Sequence, residues 1–242
     1  MKKRIRKAAV LGSGTMGSGI AAQLANAGIP SYLLDIVPKY TDADKAKGVD
    51  PNSPAFRNRI AENNKALAIK TRQFMDKEDA DLVTCGNMED NLAWLSEVDW
   101  IVEAVPENLQ IKKDLLKKIE PYIQPGTIVS SNTSTISITT MAEDMPLEFR
   151  QYWMGTHFFN PVRFMKLLEI IPGKDTLPEV MQFMADFGER KLGKSIVWCK
   201  DTPGFIANRF GNQGGPTVCK LMDELELTVS EIDDICGPPM GR

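Results

Sequence analysis

Short apolar runs and amphipathic segments alternate along the first 200 residues of the chain. Residues 8–11 form an uninterrupted apolar run before a glycine, which predicts a strand buried on both faces. Apolar residues then recur at helical spacing, and Gly28 predicts the end of that helix. Residues 32–34 predict a second buried strand, which ends at Asp35. The pattern therefore predicts a strand–helix–strand unit of about 30 residues.

The same alternation returns after residue 95. Further strands are predicted at residues 100–102, 127–129, 153–159, 167–171 and 196–198. Helices are predicted between them, at residues 111–119 and 180–187. Strands that alternate with helices predict an α/β fold with a Rossmann-type, doubly wound and mainly parallel sheet that carries helices on both faces.

Residues 41–95 interrupt this rhythm. A charged helical pattern places Ile60, Leu67 and Phe74 at heptad spacing, which predicts a helical arm inserted into the domain. Six basic residues surround the stripe: Arg57, Arg59, Lys65, Lys70, Arg72 and Lys77. Two interpretations stay open, a solvated amphipathic helix or an arm that presents cations to a phosphorylated substrate.

The pattern changes again after residues 201–204, where helical segments continue without strands. We place a domain boundary near residue 200, with a Rossmann domain at residues 1–200 and the start of an all-helical C-terminal domain at residues 201–242. About 40 residues make a poor independent core, so we expect that domain to be truncated. Its segment 210–216 contains three glycines and a proline, which favour helix poorly.

Composition excludes several classes of protein. Of the 242 residues 43% are hydrophobic and 25% charged, and the net charge of −3 argues against a nucleic-acid-binding surface. No apolar run is long enough to span a membrane. The basic start, residues 2–7, precedes an apolar run too short for a signal peptide. Four cysteines without a CxxC pair favour reduced thiols, so we expect a cytoplasmic protein without a metal site.

The segment GSGTMG at residues 12–17 is a GxGxxG motif placed between the first strand and the first helix. In this context the motif predicts a dinucleotide site rather than a purely structural glycine turn. Gly12 allows the tight turn, Gly14 lets the backbone approach the pyrophosphate, and Gly17 permits close helix–strand packing. We therefore expect cofactor contacts at Gly12, Gly14, Thr15, Met16 and Gly17.

Asp35 stands at the end of the second predicted strand, where a carboxylate accepts hydrogen bonds from the adenosine ribose. Its charge repels a 2′-phosphate, and the residues that follow it include no arginine to receive one. The expected cofactor is therefore NAD rather than NADP.

His157 is the only histidine of the chain, and Glu169 follows in the next predicted strand. A histidine among aromatic residues is often a satisfied core residue. Alternatively, His157 accepts a proton during oxidation of an alcohol, and Glu169 fixes its tautomer. Residues 132–134 add short polar groups at the carboxyl end of a strand, where Ser134 serves either a ligand or a turn.

Five stretches carry a resemblance to a known family: GSGTMGSGIAAQLANAG (12–28), EAVPENLQIKKDLL (103–116), SNTSTISI (131–138), HFFNPVRFMKLLEII (157–171) and DTPGFIANR (201–209). The chain resembles the NAD-dependent 3-hydroxyacyl-CoA dehydrogenases of fatty-acid β-oxidation over essentially its whole length. It resembles more weakly the dehydrogenase portion of larger multifunctional β-oxidation proteins.

The resemblance implies a role for individual residues. His157 matches the catalytic base and Glu169 its orienting partner, while Ser134 and Asn208 match polar residues that hold the reacting oxygen and the thioester. Residues expected near the cofactor are Ala104, Val105, Glu107, Lys112 and Asn132. Lys65 or Lys70 corresponds to a coenzyme-A contact on the arm, although no motif anchors that alignment.

The implied reaction is oxidation of an (S)-3-hydroxyacyl-CoA to the 3-oxoacyl-CoA with NAD+. The family's helical C-terminal domain closes the acyl pocket and often builds a homodimer, which a truncated domain puts in question. Two alternatives stay open, a dehydrogenase of a small hydroxy acid without CoA and an inactive NAD-binding fragment. The acyl-chain length is not determined.

Overall fold

The computed structural model describes residues 4–237. Two parts of the sequence predictions lie outside these residues, the beginning of the basic lead-in (residues 1–3) and the end of the predicted helical domain (residues 238–242). Among the described residues, none of the helices combines the length and the apolar character that a membrane crossing requires.

Eight strands form one sheet in the order β3–β2–β1–β4–β5–β6–β7–β8. The strands are β1 (Ala8–Leu11), β2 (Ser31–Asp35), β3 (Val83–Asn87), β4 (Trp100–Glu103), β5 (Ile128–Ser131), β6 (Trp153–Phe158), β7 (Leu167–Pro172) and β8 (Ser195–Trp198). Neighbouring strands are parallel except β6 and β7, which pair antiparallel. The predicted Rossmann-type, mainly parallel sheet is therefore confirmed.

Helices connect the strands and cover both faces of the sheet. They are α1 (Thr15–Asn26), α2 (Asp42–Ala46), α3 (Pro54–Arg57), α4 (Arg59–Lys70), α5 (Leu109–Ile119), α6 (Ile138–Met141), α7 (Leu147–Gln151), α8 (Pro178–Arg190), α9 (Ala207–Glu224) and α10 (Val229–Cys236). Short 3-10 helices occupy Lys77–Leu82, Leu92–Glu97 and Glu120–Tyr122.

The central strand β1 shows why its sequence is apolar throughout. Side chains alternate along a strand, so Ala8 and Val10 pack into the layer of α1, α4 and α8. Ala9 and Leu11 pack into the opposite layer, with α5 and α6. Because β2 and β4 flank β1, the connections after β1 and β4 diverge to opposite faces. Such a switch point leaves a crevice at the carboxyl ends of the strands.

The predicted helical arm, residues 41–95, is more mixed than its charge pattern indicated. It contains the strand β3, which extends the sheet beside β2 as its edge. Sequence reasoning missed this strand because VTCGN is short and only partly apolar. The pairing that stabilises it comes from β2, which local sequence does not reveal.

The predicted heptad stripe is also corrected. Ala61 and Ala68 are the buried residues of α4, whereas Leu67 is 53% exposed. Phe74 is buried but lies beyond the end of the helix. The small alanines face the domain because they let α4 pack closely against α1.

Beyond residue 200 the described chain forms only the helices α9 and α10. The helix α9 runs through Pro216 despite three glycines, and it has no buried residue. A proline inside a helix removes one backbone hydrogen bond, and the bonds on either side keep the helix continuous.

Candidate active site

Three glycines shape the turn between β1 and α1 in different ways. Gly12 has a φ of +93°, and a Cβ there would lie 2.6 Å from the carbonyl oxygen of Ala104. A Cβ on Gly17 would lie 1.8 Å from the carbonyl oxygen of Gly12. Packing within the protein therefore requires both glycines. Gly14 differs, because no atom lies within 4 Å of the position of its Cβ.

The open side of Gly14 lies at the N-terminus of α1. Gly14 is the cap residue of this helix and provides no side-chain hydrogen bond to the first turn. Thr15, which is exposed, and Met16, which is half-buried, begin the helix. The free amides of a helix N-terminus bind anions, so this turn fits the pyrophosphate of a dinucleotide.

The carboxylate of Asp35 is held beside that turn. Its Oδ2 accepts hydrogen bonds from the amide of Ser13 at 2.6 Å and from the hydroxyl of Ser13 at 2.5 Å. Asn64 of α4 donates to the same hydroxyl at 2.9 Å. Sequence reasoning placed Asp35 here but missed Ser13 and Asn64. The signal for Ser13 was its position inside the motif, whereas Asn64 reaches the turn only through the fold.

His157 lies on β6 with both ring nitrogens engaged. Its Nδ1 is 2.8 Å from Oε2 of Glu169, and its Nε2 is 3.1 Å from Oγ of Ser134. Antiparallel pairing of β6 and β7 sets His157 directly opposite Glu169. His157 is 4% exposed, and its ring contacts the rings of Phe159 and Phe205. Residues predicted to cooperate are therefore brought into contact.

Glu169 also ties the pair to the start of α9. Its Oε1 accepts hydrogen bonds from the amides of Ile206 at 3.0 Å and Ala207 at 2.8 Å. Asn208, which is half-buried, follows in the first turn of the helix. The structure thus places Asn208 one residue from a direct contact of Glu169. Burial, together with the nearby charge of Glu169, raises the pKa of the Cys199 thiol to about 12.

The loop that carries Ser134 is organised by Glu107. Oε1 of Glu107 accepts from the hydroxyl of Thr133 at 2.6 Å and from the amides of Ser134 and Thr135 at 2.9 and 3.0 Å. Burial alone would raise the pKa of Glu107, but these hydrogen bonds and the charge of Lys112 lower it below its usual range.

Lys112 is enclosed rather than exposed to a ligand. Its side chain is 1% exposed, and Nζ lies 2.7 and 2.9 Å from the two carboxylate oxygens of Glu103. Nζ also lies 3.4 Å from Oε2 of Glu107. Sequence reasoning expected Glu107 and Lys112 beside the cofactor and missed Glu103, because nothing in a strand sequence reveals that its last residue is a buried carboxylate.

The remaining predicted residues join neighbouring strand ends. Ala104 donates its amide to the carbonyl of Leu11, and Val105 donates to Oε1 of Glu103. Asn132 donates its amide to the carbonyl of Glu103 and accepts from the amide of Phe158 at 2.9 Å. The predicted residues therefore gather at the carboxyl ends of β1, β4, β5 and β6, which are adjacent in the sheet.

Several cations of the arm have partners within the protein. Arg57 pairs with Glu89 and Asp90, at 2.9 and 2.5 Å. Arg59 lies 2.6 Å from Asp44. Two groups donate hydrogen bonds to Asp44, the guanidinium of Arg59 and the side chain of Thr41, which caps α2. These bonds hold the pKa of Asp44 far below its usual range.

Lys65, one of the two candidate coenzyme-A contacts, donates to the carbonyl of Val83 at 2.8 Å. Lys70, the other, is exposed. These contacts favour a structural role for Arg57, Arg59 and Lys65 and leave Lys70 accessible to a ligand.

The site combines three features: a glycine turn at an uncapped helix, a carboxylate after the second strand and a buried histidine–carboxylate pair. Together they define a Rossmann-type dinucleotide-binding oxidoreductase fold. Comparison with known proteins narrows this class. The family profile described as 3-hydroxyacyl-CoA dehydrogenase, NAD binding domain, matches residues 7–202. The chain belongs to this family, so the predicted resemblance and the NAD cofactor are confirmed.

Individual relatives agree with this assignment. A probable 3-hydroxyacyl-CoA dehydrogenase of Bacillus subtilis is 48% identical, over 100% of this chain and 31% of the relative. One of Deinococcus radiodurans is 43% identical, over 99% of this chain and 66% of the relative. Human mitochondrial hydroxyacyl-coenzyme A dehydrogenase is 36% identical, over 98% of this chain and 74% of the relative. The chain thus spans less than two thirds of the two bacterial relatives.

The fold is shared with solved structures. The crystal structure of (S)-3-hydroxybutyryl-CoA dehydrogenase from Ralstonia eutropha superposes with a TM-score of 0.75 at 29% identity. It matches 99% of this chain, which covers 79% of that structure.

Proposed function

We propose that the protein oxidises an (S)-3-hydroxyacyl-CoA to the 3-oxoacyl-CoA with NAD+, as a step of fatty-acid β-oxidation. The observation that carries this proposal is the buried His157–Glu169 pair with Ser134 at the other ring nitrogen. The substrate class comes from the names of the relatives, which include 3-hydroxyacyl-CoA and 3-hydroxybutyryl-CoA dehydrogenases.

His157 acts as the general base in this proposal. Because the carboxylate of Glu169 accepts from Nδ1, the neutral imidazole carries its proton there and leaves the lone pair of Nε2 toward Ser134. Nε2 takes the proton of the 3-hydroxyl group, and Glu169 stabilises the imidazolium that forms. When bound, NAD+ would supply the acceptor for the hydride that leaves C3, the carbon that carries this hydroxyl group.

Ser134 and Asn208 orient the substrate in this proposal. The Ser134 hydroxyl, 3.1 Å from Nε2, is positioned to share a hydrogen bond with the reacting oxygen. Asn208, in the first turn of α9, is assigned to the thioester. The amides of Ile206 and Ala207, which precede Asn208, donate to Glu169, so formation of the His157–Glu169 pair and placement of α9 are coupled.

The domain boundary near residue 200, the homodimer and the cytoplasmic location stay predictions.

The test is the loss of NADH absorbance with acetoacetyl-CoA, compared with free acetoacetate. We expect turnover of acetoacetyl-CoA and none of free acetoacetate. For His157→Gln we expect kcat to fall at least about a hundredfold. NADH binding, measured by fluorescence, is expected to stay unchanged because the glycine turn is untouched. Turnover of His157→Gln near the wild-type rate would refute the assignment, and preference for free acetoacetate would refute the substrate class.

A further inference from the structure

A buried carboxylate lies beneath the loop that carries Thr133, Ser134 and Thr135. Glu103, the last residue of β4, is fully buried. One of its oxygens accepts from the amide of Val105 at 2.7 Å, and both pair with Lys112. The other oxygen accepts from the hydroxyl of Ser131 at 2.5 Å. Charges removed from water in this way persist only with such compensation.

Ser131 connects this carboxylate to the loop. It is the last residue of β5 and is fully buried. Its Oγ accepts from the amide of Thr133 at 3.1 Å while it donates to Glu103. Thr133 directly precedes Ser134. A single hydroxyl thus links the buried ion pair to the backbone beside the candidate catalytic serine.

A second connection converges on the same loop. Lys112 pairs with Glu107, whose other oxygen accepts from the amide of Ser134. The Glu103–Lys112 pair is therefore connected to the loop in two ways, through Ser131 to the amide of Thr133 and through Glu107 to the amide of Ser134. Packing alone does not need this arrangement, because apolar residues of similar volume stabilise a core at least as well as a buried ion pair.

We propose that Ser131, anchored on the Glu103–Lys112 pair, is a positioning residue that holds the Ser134 hydroxyl at Nε2 of His157. The role of that hydroxyl in turnover rests on the proposed function. The position of the hydroxyl does not, and it can be measured separately. Misplacement of a reacting group by about 1 Å costs on the order of a hundredfold in rate, so partial loosening of the loop has a measurable effect.

The chain offers a matched control one residue away. Ser130 is as buried as Ser131, and its hydroxyl also has two partners, Trp100 at 2.9 Å and Thr156 at 2.8 Å. These partners do not belong to the Ser134 loop. Ser130→Ala therefore removes a comparable buried hydroxyl without loosening the loop.

The experiment combines NMR and kinetics on Ser131→Ala, Ser130→Ala, Ser134→Ala and the Ser131/Ser134 double variant. His157 is the only histidine, so its Nε2 resonance is observed without overlap in ¹⁵N-histidine-labelled protein. We expect Ser131→Ala to shift this resonance in the direction that Ser134→Ala does, and to lower kcat about tenfold. We expect no further shift and less than a twofold change in kcat when Ser134 is already absent.

An unchanged Nε2 resonance in Ser131→Ala, or the same shift in the presence and absence of Ser134, would overturn the inference. Because its partner Thr156 directly precedes His157, a Ser130→Ala variant would do so as well only if it reproduced the shift when Ser134 is present and not when Ser134 is absent. Absence of turnover in the wild-type chain would refute the proposed function instead, while the NMR comparison would still decide whether Ser131 positions Ser134.

Discussion

Two roles of the glycine motif, close packing at Gly17 and approach of the cofactor at Gly14, can be separated by adding the same methyl group at each position. In Gly17→Ala the new Cβ would lie 1.8 Å from the carbonyl oxygen of Gly12. Gly12 cannot move away freely, because it packs closely against Ala104: a Cβ on Gly12 would lie 2.6 Å from the carbonyl oxygen of Ala104. Either α1 or the turn must therefore move.

The expected size of the effect follows from two opposing contributions. Overpacking of a well-packed site costs about 3 kcal/mol at the upper end of its usual range. Alanine is better than glycine inside a helix by about 1 kcal/mol. We therefore expect Gly17→Ala to lower the free energy of unfolding by about 2 kcal/mol.

Gly14→Ala is the matched variant. No atom lies within 4 Å of its Cβ, and its φ of −53° is accessible to alanine. We expect the free energy of unfolding to stay within about 0.5 kcal/mol of wild type. The methyl group would occupy the approach to the N-terminus of α1, so we expect the Kd for NADH to rise at least about tenfold, a loss of about 1.4 kcal/mol.

Urea unfolding followed by circular dichroism measures the stabilities, and NADH fluorescence measures binding. Wild-type stability of Gly17→Ala would refute the packing argument. Wild-type NADH affinity of Gly14→Ala would refute close approach of the dinucleotide at that glycine.

Two further predictions concern the charges of Lys112 and Glu107. Lys112→Met leaves the carboxylate of Glu103 buried without its cation, so we expect urea unfolding to show a loss of about 3 kcal/mol. In the control Lys113→Met only ion pairs with exposed carboxylates are lost, and a loss above about 1 kcal/mol there would contradict the argument. Hydrogen bonds and the charge of Lys112 lower the pKa of Glu107, a side chain that is 39% exposed, so its ionised form stabilises the fold above about pH 4.3. Wild type is therefore expected to be more stable than Glu107→Gln at pH 7 and to lose this advantage as the pH falls below that value; a constant difference from pH 7 to pH 3 would count against it.

The contribution of sequence reasoning is clearest at the His157–Glu169 pair. His157 and Glu169 were paired in prediction because they stand in successive strands, and an antiparallel register sets them opposite each other. The glycine turn and Asp35 were found for a similar reason, since one strand–helix–strand unit contains them all. Contacts between residues of successive elements along the chain were therefore predictable.

The supporting contacts were not predictable in the same way. Glu103 and Lys112 are nine residues apart, and their burial depends on how β4, β5 and α5 pack. Asn64 reaches Ser13 across 51 residues of sequence. The strand β3 forms only because β2 offers an edge, which VTCGN does not signal.

The sequence by itself determined the alternation of strands and helices, the dinucleotide turn and the identity of the candidate base, because periodicity and short motifs are local properties of the chain. The tertiary structure alone decided which polar groups are buried and which of them meet. It placed Lys112 beneath the loop rather than toward a ligand, and within α4 it turned Ala61 and Ala68, not Leu67, toward the domain. Burial is set by what packs above a residue, and that is a property of the whole fold.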